Sequence, residues 1–273
     1  MKRNFAACAL LPAAFIYNAA SKIHFVLRGV NPVKSKKPVI CVGNIMAGGV
    51  GKTPIVREIA KFLPNSGVMA RMRDEAAMLG AVSGPRRGVL PLMQKYKYII
   101  MDDGFQDSGV AKDISILVFD GEMGIGNGFI LPAGPLRESL ESGLRRADAV
   151  VIIGKDKTNL KEKIENTPVF FAERKFASEK FGSKIAAFSG IGYPEKFFKS
   201  LEEVSGKKLA ARIPFPDHHE FTSAELLKLS AIKAELWTTE KDAVRLPAGF
   251  ARVLKMEIEI GKEFWKWLAS KTK

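Results

Sequence analysis

Apolar positions along the chain fall into blocks of strand length, separated by stretches in which they recur at helical spacing. The blocks are Pro38–Asn44, Lys97–Met101, Ile114–Asp120, Ala149–Gly154, Val169–Glu173, Lys184–Ser189, Leu209–Pro214, Ala234–Thr238 and Ala251–Ile258, many rich in valine and isoleucine. Helical patterns lie between many of them, as at Glu195–Val204 and Ser223–Leu229. Strands alternating with helices predict a mainly parallel sheet with helices on both faces. No internal repeat or low-complexity segment interrupts the pattern.

The first block changes the picture from fold to chemistry. It runs into Ile45-Met46-Ala47-Gly48-Gly49-Val50-Gly51-Lys52-Thr53-Pro54 and then a helical stretch to Leu63. Strand, glycine-rich turn and helix is the setting of a phosphate loop. Gly48, Gly49 and Gly51, with Val50 between them, let backbone N–H groups close around phosphate oxygens. Lys52 reaches the β/γ-phosphates and the Thr53 hydroxyl suits Mg²⁺. The strict GxxxxGK[ST] pattern asks for glycine where this chain has Met46. A second acidic element follows the block ending at Met101, where Asp102-Asp103-Gly104 reads as the metal-holding end of a buried strand. We expect Thr53 and Asp102 at the metal and Asp103 at the nucleotide, the two aspartates being interchangeable on sequence grounds.

Charge and composition narrow the class. The 273 residues carry 43 Lys+Arg against 29 Asp+Glu, a net +14, with 47% hydrophobic residues. That excludes a disordered chain or a fibre and leaves room for one large or two modest domains. Cys8 and Cys41 form no CxxC pair, and His24, His218 and His219 have no zinc-ligand spacing, so reduced thiols are expected. No Asp or Glu precedes Glu58, while Lys2, Arg3, Lys22, Arg28 and other basic residues do, which suits an anionic partner. The apolar run Phe5–Ala20 is short for a membrane span and contains Pro12. With the mixed basic and apolar stretch Ser21–Arg28 it fits an interfacial helix, a helix packed on the domain, or a cleaved signal. The last loses ground because the phosphate loop needs cytosolic ATP. The Gly- and Pro-rich loop Gly124–Pro135, leading into Leu136-Arg137-Glu138, is either an active-site loop or a surface connection.

Taken in order, LLPAAFIYNAASKIHFVLRG, VGNIMAGGVGKTP, DDGFQ, GNGFILPAGPLRE, RRADAVVI, AAFSGIGYPEKFF, FPDHHEFT and TTEKDAVRL resemble the tetraacyldisaccharide 4'-kinase family, the lipid A 4'-kinases of Gram-negative bacteria, over nearly the whole chain. The resemblance implies transfer of the ATP γ-phosphate to the 4'-hydroxyl of an acylated glucosamine disaccharide 1-phosphate. It implies ATP and Mg²⁺ as cofactors and a peripheral place on the cytoplasmic leaflet of the inner membrane. It also implies two α/β domains joined by a small β linker: a P-loop NTPase-like domain and a smaller second one. We therefore expect an amphipathic membrane-associated segment over 1–30, a kinase domain over 31–175 and a C-terminal α/β domain over 176–273.

The same resemblance assigns further residues. The segment Val68–Leu79 compresses a longer family loop and keeps Asp74-Glu75, which makes Asp74 the acid that helps deprotonate the 4'-hydroxyl. Adjacent His218 and His219 cannot both face one way, and His218 is the one expected to act with Asp74. Lys241 and Asp242, in TTEKD, are expected near the nucleotide, and Arg137 and Glu138 beside the phosphates or the sugar. Lys52 and Mg²⁺ should matter more than either partner of the base, because phosphoryl transfer asks mostly for positioning and charge neutralisation. Two other classes remain to be weighed. A MinD/ParA-like ATPase switch shares Gly48–Thr53 but carries a lysine where this chain has Ala47. A nucleic-acid binder has only the net charge behind it, so no nucleic-acid partner is expected.

Overall fold

The computed structural model describes residues 5–70, 73–85, 89–177 and 179–272, with the side chains of Asp74 and Leu92 outside the description. In chain order the strands are β1 (Val39–Gly43), β2 (Ser66–Ala70), β3 (Val82–Ser83), β4 (Tyr98–Asp102), β5 (Ile114–Asp120), β6 (Ala149–Ile153), β7 (Val169–Phe176), β8 (Ile185–Ser189), β9 (Arg212–Pro214), β10 (Glu235–Thr239), β11 (Arg252–Leu254) and β12 (Met256–Ile260). They form an eight-stranded sheet, β12-β7-β6-β5-β1-β4-β2-β3, and a four-stranded sheet, β11-β10-β8-β9. Every pairing of described register is parallel.

The hydrophobic blocks explain this directly. All residues of β1, β4, β5 and β6 are buried, which is why these blocks read as continuous apolar runs rather than alternations. Each buried Val, Ile or Leu contributes roughly 1.5–3 kcal/mol of transfer free energy, so the strand centre carries most of the driving force. Gly43, which ends β1, is required by packing: a Cβ there would lie 2.5 Å from Phe105 Cβ. The helix Lys52–Phe62 follows β1 and buries Pro54, Ile55, Val56 and Ile59.

The chain divides into two compact units, Met1–Arg174 with Ile258–Lys273, and Lys175–Glu257. The expected C-terminal domain over 176–273 is corrected here. The block Ala251–Ile258 breaks at Lys255, and its halves enter different sheets, β11 the smaller and β12 the larger. The closing helix Lys262–Lys271 then buries Phe264 and Leu268 in the core of the first unit. Its tryptophans pack rather than protrude, Trp265 against Phe62 with ring centroids 4.8 Å apart. The second unit has its own core, in which Phe197, Phe198 and Leu201 of the helix Pro194–Ser205 meet Trp237 and Ile185.

The N-terminal segment forms helices Phe5–Ala9 and Leu11–Gly29, and Pro12 sits in the first turn of the second, where a missing N–H breaks no hydrogen bond. Of the longer helix only Ala14 is buried, and Phe15, Ile16, Ile23, Val26 and Leu27 are exposed. No helix among the described residues is long and apolar enough to cross a membrane.

Candidate active site

Strand order sets where the site lies. β1 sits between β5 and β4, while the chain reaches β4 only after passing through β2 and β3 on the far side. The order reverses at β1 and β4, and a parallel sheet opens a crevice at the carboxyl ends of strands where it does so. Both chemical motifs leave the sheet there, since Val42 is in register with Asp102.

The loop after β1 is held by its neighbours. Gly51 caps the helix Lys52–Phe62 with φ +91°, and Gly48 has φ +104°, values that residues with a Cβ rarely adopt. A Cβ on Gly48 or Gly49 would meet nothing within 4 Å, so the loop faces open space. Met46, the departure from the strict glycine pattern, has no positive φ; it is wholly buried and its backbone bridges Leu136. The Ala47 N–H donates to the Pro135 carbonyl at 2.8 Å and the Arg137 N–H to the Ile45 carbonyl at 2.7 Å. Those bonds staple the 124–138 loop to the phosphate loop and make it part of the site rather than a surface connection. Ala47 stands where a MinD/ParA-like switch carries lysine, and nothing in this arrangement favours that class.

Charged groups converge at the mouth of the loop. Lys52 Nζ lies 3.3 Å from Asp103 Oδ1 and 3.4 Å from Asn44 Oδ1. Asp103 adopts φ +52°, a left-handed conformation that is strained for aspartate, and Arg137 Nη1 approaches it at 3.5 Å. Arg137 also donates to Gln106 Oε1 at 3.2 Å, and Gln106 Nε2 donates to the Asn44 carbonyl at 2.8 Å and to Glu138 Oε1 at 3.0 Å. Thr53 Oγ1 donates to Asp102 Oδ2 at 3.1 Å. Burial pushes the Asp102 carboxyl up to about 7; the charges of Glu75 and Asp103 add to this, while Lys52 and the Thr53 hydrogen bond oppose it. Among the described residues no group of three or more His, Cys, Asp or Glu side chains could hold a metal ion by itself; the buried Asp102 carboxylate and the Thr53 hydroxyl are both hard oxygen donors, and this pair fits Mg²⁺ that takes its other oxygens from a nucleotide and water.

Asp74 is in the helix Arg73–Leu79 of the first unit, and its side chain is outside the described residues. His218, Lys241 and Asp242 belong to the second unit. There, His218 Nε2 is 2.9 Å from Lys241 Nζ, which also lies 3.3 Å from Asp217. His219 is held by Glu225 at 3.0 Å and stacks on Phe215, so the two histidines do diverge. Asp242 is wholly buried, accepting from Ser189 Oγ, the Gly190 N–H, Thr239 Oγ1 and Arg245, and holds this turn together. Four residues of the first unit were not assigned from sequence: Asn44, Gln106, Glu75 and Arg146. Gln106 stood in the DDGFQ stretch and Glu75 beside Asp74, but nothing local marked Asn44 or Arg146.

The sequence pattern of the tetraacyldisaccharide-1-P 4'-kinase family matches residues 6–72 and 79–273. The chain belongs to this family. The six skipped residues, 73–78, contain Asp74 and Glu75, at the compression seen in the sequence. Among curated relatives, the tetraacyldisaccharide 4'-kinase of Rhodospirillum centenum is 37% identical over 91% of this chain and 86% of that protein. The enzyme of the same name from Paramagnetospirillum magneticum is 38% identical over 95% and 92%. The fold is that of the "apo" form of LpxK from Aquifex aeolicus, a crystal structure in complex with ATP, with a TM-score of 0.76 at 24% identity, covering 98% of this chain and all of that one.

Proposed function

We infer that this chain is an ATP-dependent kinase that phosphorylates the 4'-hydroxyl of tetraacyldisaccharide 1-phosphate, a step of lipid A biosynthesis. The observation that carries the reading is the convergence of Lys52, Asp103 and Arg137 at the mouth of the glycine loop. Backbone N–H groups around Gly48, Gly49 and Gly51 would cradle the phosphates. Lys52 and Arg137 would neutralise charge on the γ-phosphoryl group as its bond to ADP breaks and a bond to the 4'-oxygen forms. Asp103, held by both cations, keeps them aimed at one point. Thr53 and Asp102 would hold Mg²⁺, which would supply positive charge against the phosphates of the nucleotide.

Asp74 is proposed to take the proton of the 4'-hydroxyl, with His218 orienting or sharing it. Lys241 and Asp242 are proposed to stand near the nucleotide, Asp242 by holding the turn that carries Lys241. The exposed apolar residues of the helix Leu11–Gly29, among Lys22 and Arg28, support docking on an anionic leaflet, and the membrane proposed is the cytoplasmic face of the inner membrane. A cavity of about 1380 Å³ runs from this helix to Asp103, Arg137 and Glu138. Its reach suits an acceptor whose acyl chains stay at the membrane while its sugar enters the site. The test is ADP release by the purified protein with Mg-ATP, with and without the disaccharide lipid. Release that depends on the lipid supports the kinase; equal release without it contradicts the kinase and favours an ATPase switch.

A further inference from the structure

Arg146 joins the exposed N-terminal helix to the phosphate site. Its guanidinium lies 4.5 Å from the ring centroids of both Phe25, on the helix Leu11–Gly29, and Phe105, in the acidic loop after β4. Phe105 is buried in the main core, so one side of this stack is fixed. Arg146 also donates to Glu138 and, at 3.2 Å, to the Phe105 carbonyl. Glu138 also accepts from Ser142 Oγ at 3.2 Å and from Gln106 Nε2, and Gln106 in turn accepts from Arg137. A continuous path of stacked and hydrogen-bonded groups thus runs from Phe25 to the cation pair at Asp103. The Ser108 hydroxyl also tethers this helix, donating to the Phe25 carbonyl at 2.6 Å.

We propose that Arg146 is a positioning residue that makes the orientation of Glu138, Gln106 and Arg137 depend on the seating of the N-terminal helix. The physical basis is the shape of the guanidinium. A planar cation offers two faces to aromatic rings and an edge of N–H donors to a carboxylate, so a single side chain fixes helix and loop together. Lysine supplies the charge without the faces or the fork. Seating of the helix on a lipid surface would then act on turnover as well as on lipid capture.

The proposal rests on the kinase reading, and the test separates the two. Turnover, lipid KM, ATP affinity and Tm are measured for wild type, Arg146→Lys, Arg146→Ala, Phe25→Leu and the Phe25→Leu/Arg146→Ala pair, with Mg-ATP and disaccharide lipid in mixed micelles. Arg146→Lys is expected to lower kcat about tenfold, a loss of roughly 1.4 kcal/mol of transition-state stabilisation, while ATP affinity and Tm stay near wild type. Phe25→Leu, a change on a half-exposed helix residue, keeps the fold and is expected to lower kcat in the same direction. The pair should lose no more than its worse single variant, because both substitutions break one path. Wild-type kcat in Arg146→Lys and Arg146→Ala, or full additivity with Phe25→Leu, overturns the coupling. A fall in Tm with unchanged kcat of the folded enzyme also overturns it, assigning Arg146 to stability alone. A wild-type protein without phosphoryl transfer rejects the kinase reading instead.

Discussion

Replacing Asp102 by asparagine keeps the shape of a wholly buried side chain and its acceptor for Thr53 while deleting the charge. Burial is the main reason the carboxyl rises from the ordinary 3.8 to about 7. That interval spans roughly three pH units at about 1.4 kcal/mol each, so ionised Asp102 costs the cation-free fold up to something on the order of 4 kcal/mol. The sign follows from proton binding. Between the unfolded and folded values the native state holds a proton that the unfolded chain has released, so stability falls as pH rises from about 4 and the whole cost is present above about 7. Asp102→Asn should therefore be more stable than wild type in EDTA at pH 8. At roughly 2–4 °C per kcal/mol the rise in Tm amounts to several degrees. At pH 5 less than half of that difference should remain. Millimolar Mg²⁺ at pH 8 should raise the wild-type Tm, because a cation that binds only the folded site shifts the equilibrium, and should leave the variant unmoved. Calorimetry at both pH values, with and without Mg²⁺, checks all four conditions. Equal wild-type and variant midpoints at pH 8 in EDTA, or an equal Mg²⁺ response, would refute the buried-carboxylate account of the metal position.

Three further outcomes are expected. Lys52→Ala should lose several orders of magnitude in kcat, since it removes a charge that follows the phosphoryl group into the transition state, and retention of more than about a tenth of wild-type turnover contradicts the P-loop role. Deleting residues 1–28 should weaken co-sedimentation with anionic vesicles and raise the lipid KM while ATP affinity, measured by fluorescent-analogue displacement, stays nearly unchanged. Asp74→Ala and His218→Ala should each slow single-turnover phosphoryl transfer, and the double variant should lose far less than the product of the two; full additivity means that the base lies elsewhere, with Glu75 or Asp103 next to try.

How far the sequence reached depended on the range of the interactions. The strand blocks and the Gly48–Thr53 loop were legible because burial on both sheet faces and positive φ angles leave marks within a few residues. Met46 looked like a flaw in the loop, and its reason is tertiary: a backbone bridge to Leu136 that no local pattern encodes. The split of Ala251–Ile258 was hidden for a related reason, since one apolar run feeds two sheets. The resemblance marked Asp242 through TTEKD, while its partners Ser189 and Gly190 lie at the end of another strand, where no local pattern points to them. Arg146 carried no local mark, because its ring partners Phe25 and Phe105 lie far from it in sequence.

The most direct measurement is a mass spectrum of the lipid recovered after the purified protein has been incubated with Mg-ATP and a tetraacylated glucosamine disaccharide 1-phosphate, with fragmentation to assign the modified sugar. The account predicts a product heavier by one phosphate, carried at the 4' position of the sugar distal to the 1-phosphate. An unchanged lipid, or a new phosphate at any other position, would contradict it.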